Sequence, residues 1–135
     1  MSALVIDVPL AELPPSPNRA RGMHWAQRGR STRQARDMAF AYGWNFRTHR
    51  PDFTESPKAA EKRSCRIEII YPTSRRGPLT DPDSALARLK PLIDGLVDAG
   101  CLRGDGPADV VYAPVEQRKE GKQLIVRFTL SGVAP

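Results

Sequence analysis

The order of apolar patterns along the chain predicts an α+β fold, in which two main helices pack on a mixed or antiparallel sheet within one small domain, residues 1–135. Short segments rich in Val and Ile are typical of strands, and they alternate with two longer segments whose apolar residues recur at helical spacing. With 135 residues and 40% apolar composition, the chain is long enough for one modest core.

The first half of the chain supplies one strand and one helix. Residues 3–10 (ALVIDVPL) predict a strand, because Val and Ile favour extended backbone. The prolines of residues 12–17 (ELPPSP) exclude regular structure and lead into a basic loop. A helix capped by Ser31 or Thr32 is then expected to extend to about Thr48. Its expected apolar side consists of Ala35, Met38, Ala39, Tyr42 and Phe46.

The second half supplies the other helix and three more strands. In order, these elements are a surface loop at 49–62, a strand at 64–71, a helix at 82–99, a loop at 103–108, and strands at 109–117 and 123–130. Gly100 is a natural residue to follow a helix end. The last two strands are expected to form a hairpin, joined by a turn at residues 118–122.

The cysteines and the absence of a long apolar run narrow the class of protein. Cys65 and Cys101 are far apart and lack partners at zinc-ligand spacing, so neither is expected to form a disulfide or act as a nucleophile. Cys65 is expected to be a buried strand residue, and Cys101 a small apolar residue after the helix. No apolar run could span a bilayer, and the first residues lack a signal-peptide pattern. We therefore expect a cytoplasmic protein.

Positive charge is concentrated in one segment. The net charge is +6 and the pI is about 9.8, which favours a polyanionic partner. Arginine suits bidentate contact with phosphate oxygens, and aromatic rings can lie against sugars or bases. A solvated basic face is the alternative. The nucleic-acid candidates are Asn18, Arg19, Arg21, His24, Trp25, Arg28, Arg30, Arg33 and Arg36, followed later by Arg75 and Arg76.

Negative charge is concentrated in a different segment, where six of the fifteen acidic residues fall between Asp81 and Asp109. Asp81 and Asp83 lie between a predicted strand and a predicted helix, where their carboxylates could point into one volume. Carboxylate oxygens suit Mg²⁺ or Mn²⁺, and Asp105 is the candidate third ligand. The alternative is that Asp81 only caps the helix, with Pro82 at its first position.

The predicted helix after this pair carries a lysine, Lys90, on the same side as two of the aspartates. At about 100° per residue, Asp83, Lys90 and Asp94 fall within roughly 40° of one another. Pro91 falls on the solvated side, where a modest kink would preserve the register. Lys90 could therefore act beside the carboxylates. The alternative is a simple i,i+4 ion pair between Lys90 and Asp94.

Taken together, these motifs resemble the RusA family of Holliday junction resolvases, which are phage- and prophage-encoded endonucleases. The resemblance covers nearly the whole chain. Its features, in order, are the strand, proline-rich turn and Asn18-Arg19, the basic segment, Asp81-Pro82-Asp83-Ser84 with Lys90 downstream, and Gly104-Asp105 before the final strands. Ser84 and Gly104 depart from the family pattern, which has asparagine at the first position and an acidic residue at the second.

The resemblance implies a RusA-like fold and a homodimer that resolves four-way DNA junctions by paired symmetric nicks, with Mg²⁺ or Mn²⁺, in recombination, repair or phage DNA processing. Asp81, Asp83 and Asp105 match the catalytic, metal-holding aspartates, and Lys90 matches the catalytic lysine. Two alternatives stay open. One is a protein that binds branched DNA without cutting it, and the other is a basic protein that binds RNA or packages nucleic acid.

Overall fold

A computed structural model of the chain describes residues 4–15, 25–49, 62–77 and 79–132. Within these ranges, the side chains of residues 25, 28, 82, 83 and 132 lie outside the description. The elements are β1 (Leu4–Leu10), α1 (Trp25–Thr48), β2 (Arg63–Tyr71), α2 (Pro82–Arg88), α3 (Lys90–Asp98), β3 (Val110–Tyr112), β4 (Glu116–Lys119) and β5 (Leu124–Gly132). The fold is α+β, as predicted. None of the helices described is long and apolar enough to cross a membrane.

The sheet is mixed and has β2 near its centre. Its order is β1-β5-β2-β3, and β4 also pairs with β2. β5 runs antiparallel to β1 and β2, whereas β3 and β4 run parallel to β2. Phe128 of β5 lies opposite Ile6 on one side and Ile67 on the other, and all three are buried. Such cross-strand apolar pairs form the sheet side of the core.

The predicted hairpin of the last two strands is wrong. β2 lies between β4 and β5, and the turn from β4 to β5 crosses the end of β2, where Glu120 N donates to Tyr71 O (2.8 Å) and Thr73 N donates to Gly121 O (3.0 Å). The apolar β2 is buried on both faces from Ile67 to Tyr71, so it takes a strand on each side. Local alternation in β4 and β5 could not indicate this insertion.

The predicted strand at 109–117 is also interrupted. Cys65 pairs with Tyr112 and Glu68 pairs with Glu116, so β2 advances three residues while its partner advances four. The extra residue forms a bulge that contains Pro114. Proline has no backbone N–H for the ladder, which is why it is found at such breaks. The result is two short parallel strands, β3 and β4, on the same side of β2.

Helix α1 begins at Trp25, several residues before the predicted cap at Ser31 or Thr32. The expected basic loop is therefore partly helical from residue 25. The predicted apolar side is also only partly correct. Ala35 and Ala39 are buried, but Met38 and Tyr42 are 39% and 40% exposed. α1 packs through small residues, so the larger side chains at the margin of the contact remain in solvent.

The predicted helix at 82–99 is divided in two at Leu89. This buried residue has φ −89° and ψ −1°, and it separates α2 from α3. Pro91 has no N–H to donate to the preceding turn, so the hydrogen-bond ladder is interrupted there. The ladder resumes at Ile93, whose N–H donates to Leu89 O (3.1 Å). The break makes Lys90 the first residue of α3.

Helices α1 and α3 cross at glycines. A Cβ added to Gly95 would overlap the carbonyl oxygen of Arg36 and lie 2.8 Å from Ala39 Cβ. A Cβ on Gly43 would lie 3.1 Å from both Ala99 Cβ and Cys101 Sγ. The two backbones can approach closely only because these positions lack side chains. This contact fixes α3, and therefore Lys90, against the rest of the domain.

Candidate active site and nucleic-acid surface

Lys90 and Asp105, two of the predicted catalytic residues, are in contact. The ammonium of Lys90 contacts Asp105 Oδ2 and also lies 2.7 Å from Asp94 Oδ1, one turn ahead on α3. About half of the Lys90 side chain is exposed, at 52%. The i,i+4 ion pair considered from the sequence is thus present, but it is part of a three-residue cluster. We call Lys90, Asp94 and Asp105 the lysine cluster.

Asp105 is presented by a loop with its own internal clamp. Arg103 Nε donates to Asp109 Oδ1 (2.7 Å), and its Nη2 donates to Ala108 O (2.7 Å), which ties the two ends of residues 103–109 together. The Tyr112 hydroxyl donates to the backbone oxygen of Asp105 (3.5 Å). These contacts direct Asp105 toward α3. Arg103 and Asp109 were not predicted as site residues, and only their opposite charges in one loop could have suggested them.

Gly104 has a local structural role in this loop. A Cβ at this position would overlap Asp109 Oδ2 and lie 2.9 Å from Asp109 Cγ. The carboxylate of Asp109 thus occupies the space that a side chain at residue 104 would need. The clamp between Arg103 and Asp109 therefore depends on the absence of a side chain at residue 104.

Asp81 follows a residue that is anchored to the sheet. The buried Thr80 donates its N–H to Gln117 Oε1 (3.1 Å), and Gln117 Nε2 donates back to Thr80 O (2.8 Å). The Thr80 hydroxyl exchanges a hydrogen bond with Tyr71 Oη (2.8 Å) and accepts one from Arg88 Nη1 (3.0 Å). These partners come from β4, β2 and α2, so they fix the chain at the point where the acidic segment begins.

Asp81 itself is exposed and begins helix α2. Its backbone oxygen accepts hydrogen bonds from Ser84 N (3.0 Å) and Ser84 Oγ (3.2 Å). Ser84 therefore closes the first turn of the helix. The side chain of Asp83 lies outside the described residues.

The predicted three-carboxylate metal site is only partly within the described structure. No three His, Cys, Asp or Glu side chains converge as a metal site among those described, a set that omits Asp83. The residues present fit a divalent cation in their chemistry, because the carboxylates of Asp94 and Asp105 already face a shared cation, the Lys90 ammonium. Carboxylate oxygens are the ligands that Mg²⁺ and Mn²⁺ prefer.

The lysine cluster lies beside a partly buried tyrosine. Burial raises the pKa of Tyr112 to about 12, with smaller contributions from Cys65 and Asp94. Tyr112 therefore stays protonated at neutral pH and acts as a hydrogen-bond donor. The nearby Cys65 is fully buried, and burial raises its pKa to about 12, so its thiol is not a nucleophile.

The predicted nucleic-acid residues have different surroundings. Arg30, Arg33 and Arg76 are exposed, with no ion-pair partner among the described residues. Arg36 is paired with Asp98 through two hydrogen bonds (2.6 and 2.9 Å), which raise its pKa. Arg75 lies over the ring of Tyr71, 4.3 Å from its centroid. Outside the description lie Asn18, Arg19, Arg21 and His24, and the side chains of Trp25 and Arg28.

Arginines on the outer face of the sheet differ from those of α1. Arg127 is paired with Asp7 (2.8 Å), Arg66 is paired with Glu116 (2.6 Å), and Arg118 contacts both Glu68 and Glu120. Their charge is compensated within the domain. Arg30 and Arg33 of α1 have no ion-pair partner among the described residues, so α1 is the better candidate to contact a polyanion.

An aromatic pair continues the face of α1 that carries Arg33. Phe40 and Trp44 follow Arg33 at intervals of seven and eleven residues, so all three lie on one face of α1. The rings of Phe40 and Trp44 stack with centroids 6.0 Å apart, and the guanidinium carbon of Arg47 lies 5.4 Å from the centroid of the Trp44 ring. The helical spacing could have indicated this surface.

No family model matches the sequence, and no curated protein matches it.

Proposed function

We propose that the protein is a metal-dependent endonuclease that resolves four-way DNA junctions by paired symmetric nicks. The observation that supports this most is the contact between Lys90 and Asp105, which belong to different elements and were selected from the sequence for the same reaction. A helix-surface ion pair would need only Lys90 and Asp94. The additional contact with the clamped loop brings a cation and a carboxylate together at an exposed position, where a phosphate could approach.

In this proposal, Asp81, Asp83 and Asp105 would hold Mg²⁺ or Mn²⁺. The bound ion would lower the pKa of a coordinated water and neutralise charge at the scissile phosphate. The anchored Thr80 supports the role of Asp81, because a residue fixed by three elements limits the positions of its neighbour. The Arg103–Asp109 clamp supports the role of Asp105 in the same way.

Lys90 would donate hydrogen bonds to a phosphate oxygen and stabilise the negative charge that accumulates there during attack. Its side chain is half exposed and held at the first turn of α3 by Asp94. Because this pairing already restricts the Lys90 side chain to few rotamers, the side chain loses less conformational entropy when it binds a phosphate.

The exposed arginines would bind the flanking DNA. Arg30 and Arg33 on α1, together with Arg76 before the acidic segment, present charge without an acidic partner in the described part of the chain. Binding of this type is steeply salt-dependent, because counterions are released from the phosphates. Two copies of the chain would provide the two nicks, since each copy carries one set of site residues.

A synthetic four-way junction tests the proposal. The parent is expected to nick it in Mg²⁺ and to leave it intact in EDTA. Asp83→Asn should retain junction binding and lose nicking. The matched control is Asp7→Asn, which removes the same charge on the outer face of the sheet, where Asp7 pairs with Arg127. If Asp83→Asn nicks as fast as the parent, the site assignment is wrong.

One observation favours a second candidate, a protein that binds branched DNA without cutting it. Lys90 already pairs with both Asp94 and Asp105, so each of these two carboxylates has a cationic partner without a metal ion. In this case the parent would bind the junction more tightly than linear duplex, and it would leave the junction intact in both Mg²⁺ and Mn²⁺.

A further inference from the structure

Helix α1 carries an exposed face on which arginines and aromatic rings are combined. At about 100° per residue, Arg30, Arg33, Phe40 and Trp44 fall within an arc of roughly 80°. We call these four residues the arginine–aromatic face. Phe40 and Trp44 are 39% and 48% exposed, and their rings are stacked at an interplanar angle of 17°. The core contacts of the helix are made by other residues, including Ala35 and Ala39.

The aromatic pair is supported by a neighbouring arginine. Arg47 lies 5.4 Å from the centroid of the Trp44 ring, and its Nη1 donates to Ala99 O (3.2 Å) beyond the end of α3. Arg47 is thus anchored to the neighbouring element while it supports the Trp44 ring. Exposed aromatic side chains that are already ordered lose little conformational entropy when a partner binds.

The charge of α1 indicates the class of partner. The helix contains five arginines and a single acidic residue, Asp37, which falls within the same arc as the arginine–aromatic face and leaves that face with a net positive charge. Arg30 and Arg33 have no ion-pair partner among the described residues, whereas Arg36 is neutralised by Asp98. Large aromatic groups beside arginines that form no ion pair are typical of surfaces that bind single-stranded nucleic acid, through ring stacking and phosphate contacts. A second copy of this chain would add positive charge to an already positive face.

We propose that the arginine–aromatic face binds unpaired bases of DNA. Phe40 and Trp44 stack against one or two bases, and Arg30 and Arg33 contact the adjoining phosphates. Arg33 and Trp44 are about 16 Å apart along the helix axis, close to the length of roughly five stacked nucleotides. The inference rests on the proposed function, because a four-way junction would supply the unpaired bases. Base stacking is interrupted at its branch point, so the free energy needed to unpair bases is lowest there.

The test compares two probes of equal length and charge: a fluorescent oligothymidine and the same strand with every base removed. Fluorescence anisotropy at fixed salt gives their affinities for the parent and for Phe40→Ala/Trp44→Ala. The parent should prefer the base-bearing strand, and the double variant should bind that strand roughly tenfold or more weakly. Both proteins should bind the abasic strand equally, because the arginines are unchanged.

Tyr42→Ala is the matched control, because Tyr42 is 40% exposed on the same helix but lies outside the arginine–aromatic face. It should keep the preference of the parent. Trp44→Phe retains a flat ring and should keep most of that preference. In a Trp25→Phe background, oligothymidine should quench the remaining tryptophan, Trp44, and the abasic strand should not. This measurement decides the inference even if the double variant does not fold.

Equal losses on the two probes would overturn the inference, because the aromatic rings would then not contact bases. A change of mass by light scattering in the double variant would also overturn it, since the face would be an interface between copies. A parent that nicks junctions but shows no preference for bases disproves only this inference. A parent that binds no DNA disproves the proposed function as well.

Discussion

The ammonium of Lys90 contacts the carboxylate of Asp105, although one residue begins helix α3 and the other lies in the loop before β3. Two features make this contact possible. The break at Leu89 places Lys90 at the start of a helix, and the Arg103–Asp109 pair folds the loop back toward it. Among the described residues, Lys90 and Asp105 are the only predicted catalytic residues whose side chains contact each other.

Replacement of the lysine is the most direct test of its role. Lys90→Met should lower single-turnover nicking of a four-way junction by about a hundredfold to a thousandfold, which is the usual effect of removing a donor that stabilises developing negative charge. The affinity for the junction should change little, because the substitution removes only one half-exposed cation. Lys122→Met, an exposed lysine in the turn after β4, is the control and should nick normally. Parent-like nicking by Lys90→Met would leave the cluster with a structural role only.

The Asp105 loop gives a second prediction, on Gly104. Gly104→Ala should displace the Asp109 carboxylate, weaken the Arg103–Asp109 pair and misplace Asp105, so nicking should fall at least tenfold. The expected loss of stability is about 1 kcal/mol or less, because the pair is partly exposed. Gly106→Ala is the control from the same loop, since a Cβ there would meet nothing within 4 Å. Equal nicking by the two variants would show that the clamp does not position Asp105.

The helix crossing predicts opposite effects for two glycine substitutions. Gly95→Ala should destabilise the protein by about 1–3 kcal/mol, because the added Cβ overlaps the Arg36 carbonyl oxygen and the helices must separate. Gly29→Ala should be neutral or stabilise by about 0.5–1 kcal/mol, because this helical position is exposed and has no neighbour within 4 Å. Thermal and urea unfolding measure both. A stable Gly95→Ala variant would contradict the close approach of α1 and α3.

Cys101 gives a prediction about pH. Burial raises the pKa of its thiol from the ordinary 9.0 to about 11, against smaller opposing contributions from Arg47 and Arg63. The folded protein therefore holds this proton more tightly than the unfolded chain does. The resulting stability is fully present below pH 9 and is lost as the pH rises toward 11, by about 1.4 kcal/mol per pH unit.

Cys101→Ala isolates this effect from the other groups that titrate at alkaline pH. The variant should be less stable than the parent at pH 7, because Cys101 fills buried space and donates to Gly43 O (3.4 Å). The difference in unfolding free energy should shrink between pH 9 and pH 10.5 in urea titrations. A constant difference over this range would show that the Cys101 thiol has an ordinary pKa in the folded protein.

Local periodicity accounts for what the sequence predicted correctly. The strands predicted at 3–10 and 64–71 are observed at Leu4–Leu10 and Arg63–Tyr71. These strands and the existence of both helical segments follow from apolar spacing that is visible within each segment. Cys65 was predicted to be a buried strand residue and Cys101 a small apolar residue after the helix, and both are buried. The i,i+4 contact between Lys90 and Asp94 was also predicted from the sequence, because residues four apart on a helix have neighbouring side chains.

The tertiary structure decided which segments meet, because such contacts depend on how elements pack and not on their own spacing. The sequences of β4 and β5 do not indicate that β2 lies between them. The residues around Gly95 do not indicate that this glycine packs against the backbone of Arg36. The contact of Lys90 with Asp105 needs the break at Leu89, the crossing at Gly95 and the clamp at Arg103 together. The sequence by itself determined the elements and the chemical types of the site residues, and packing determined their partners.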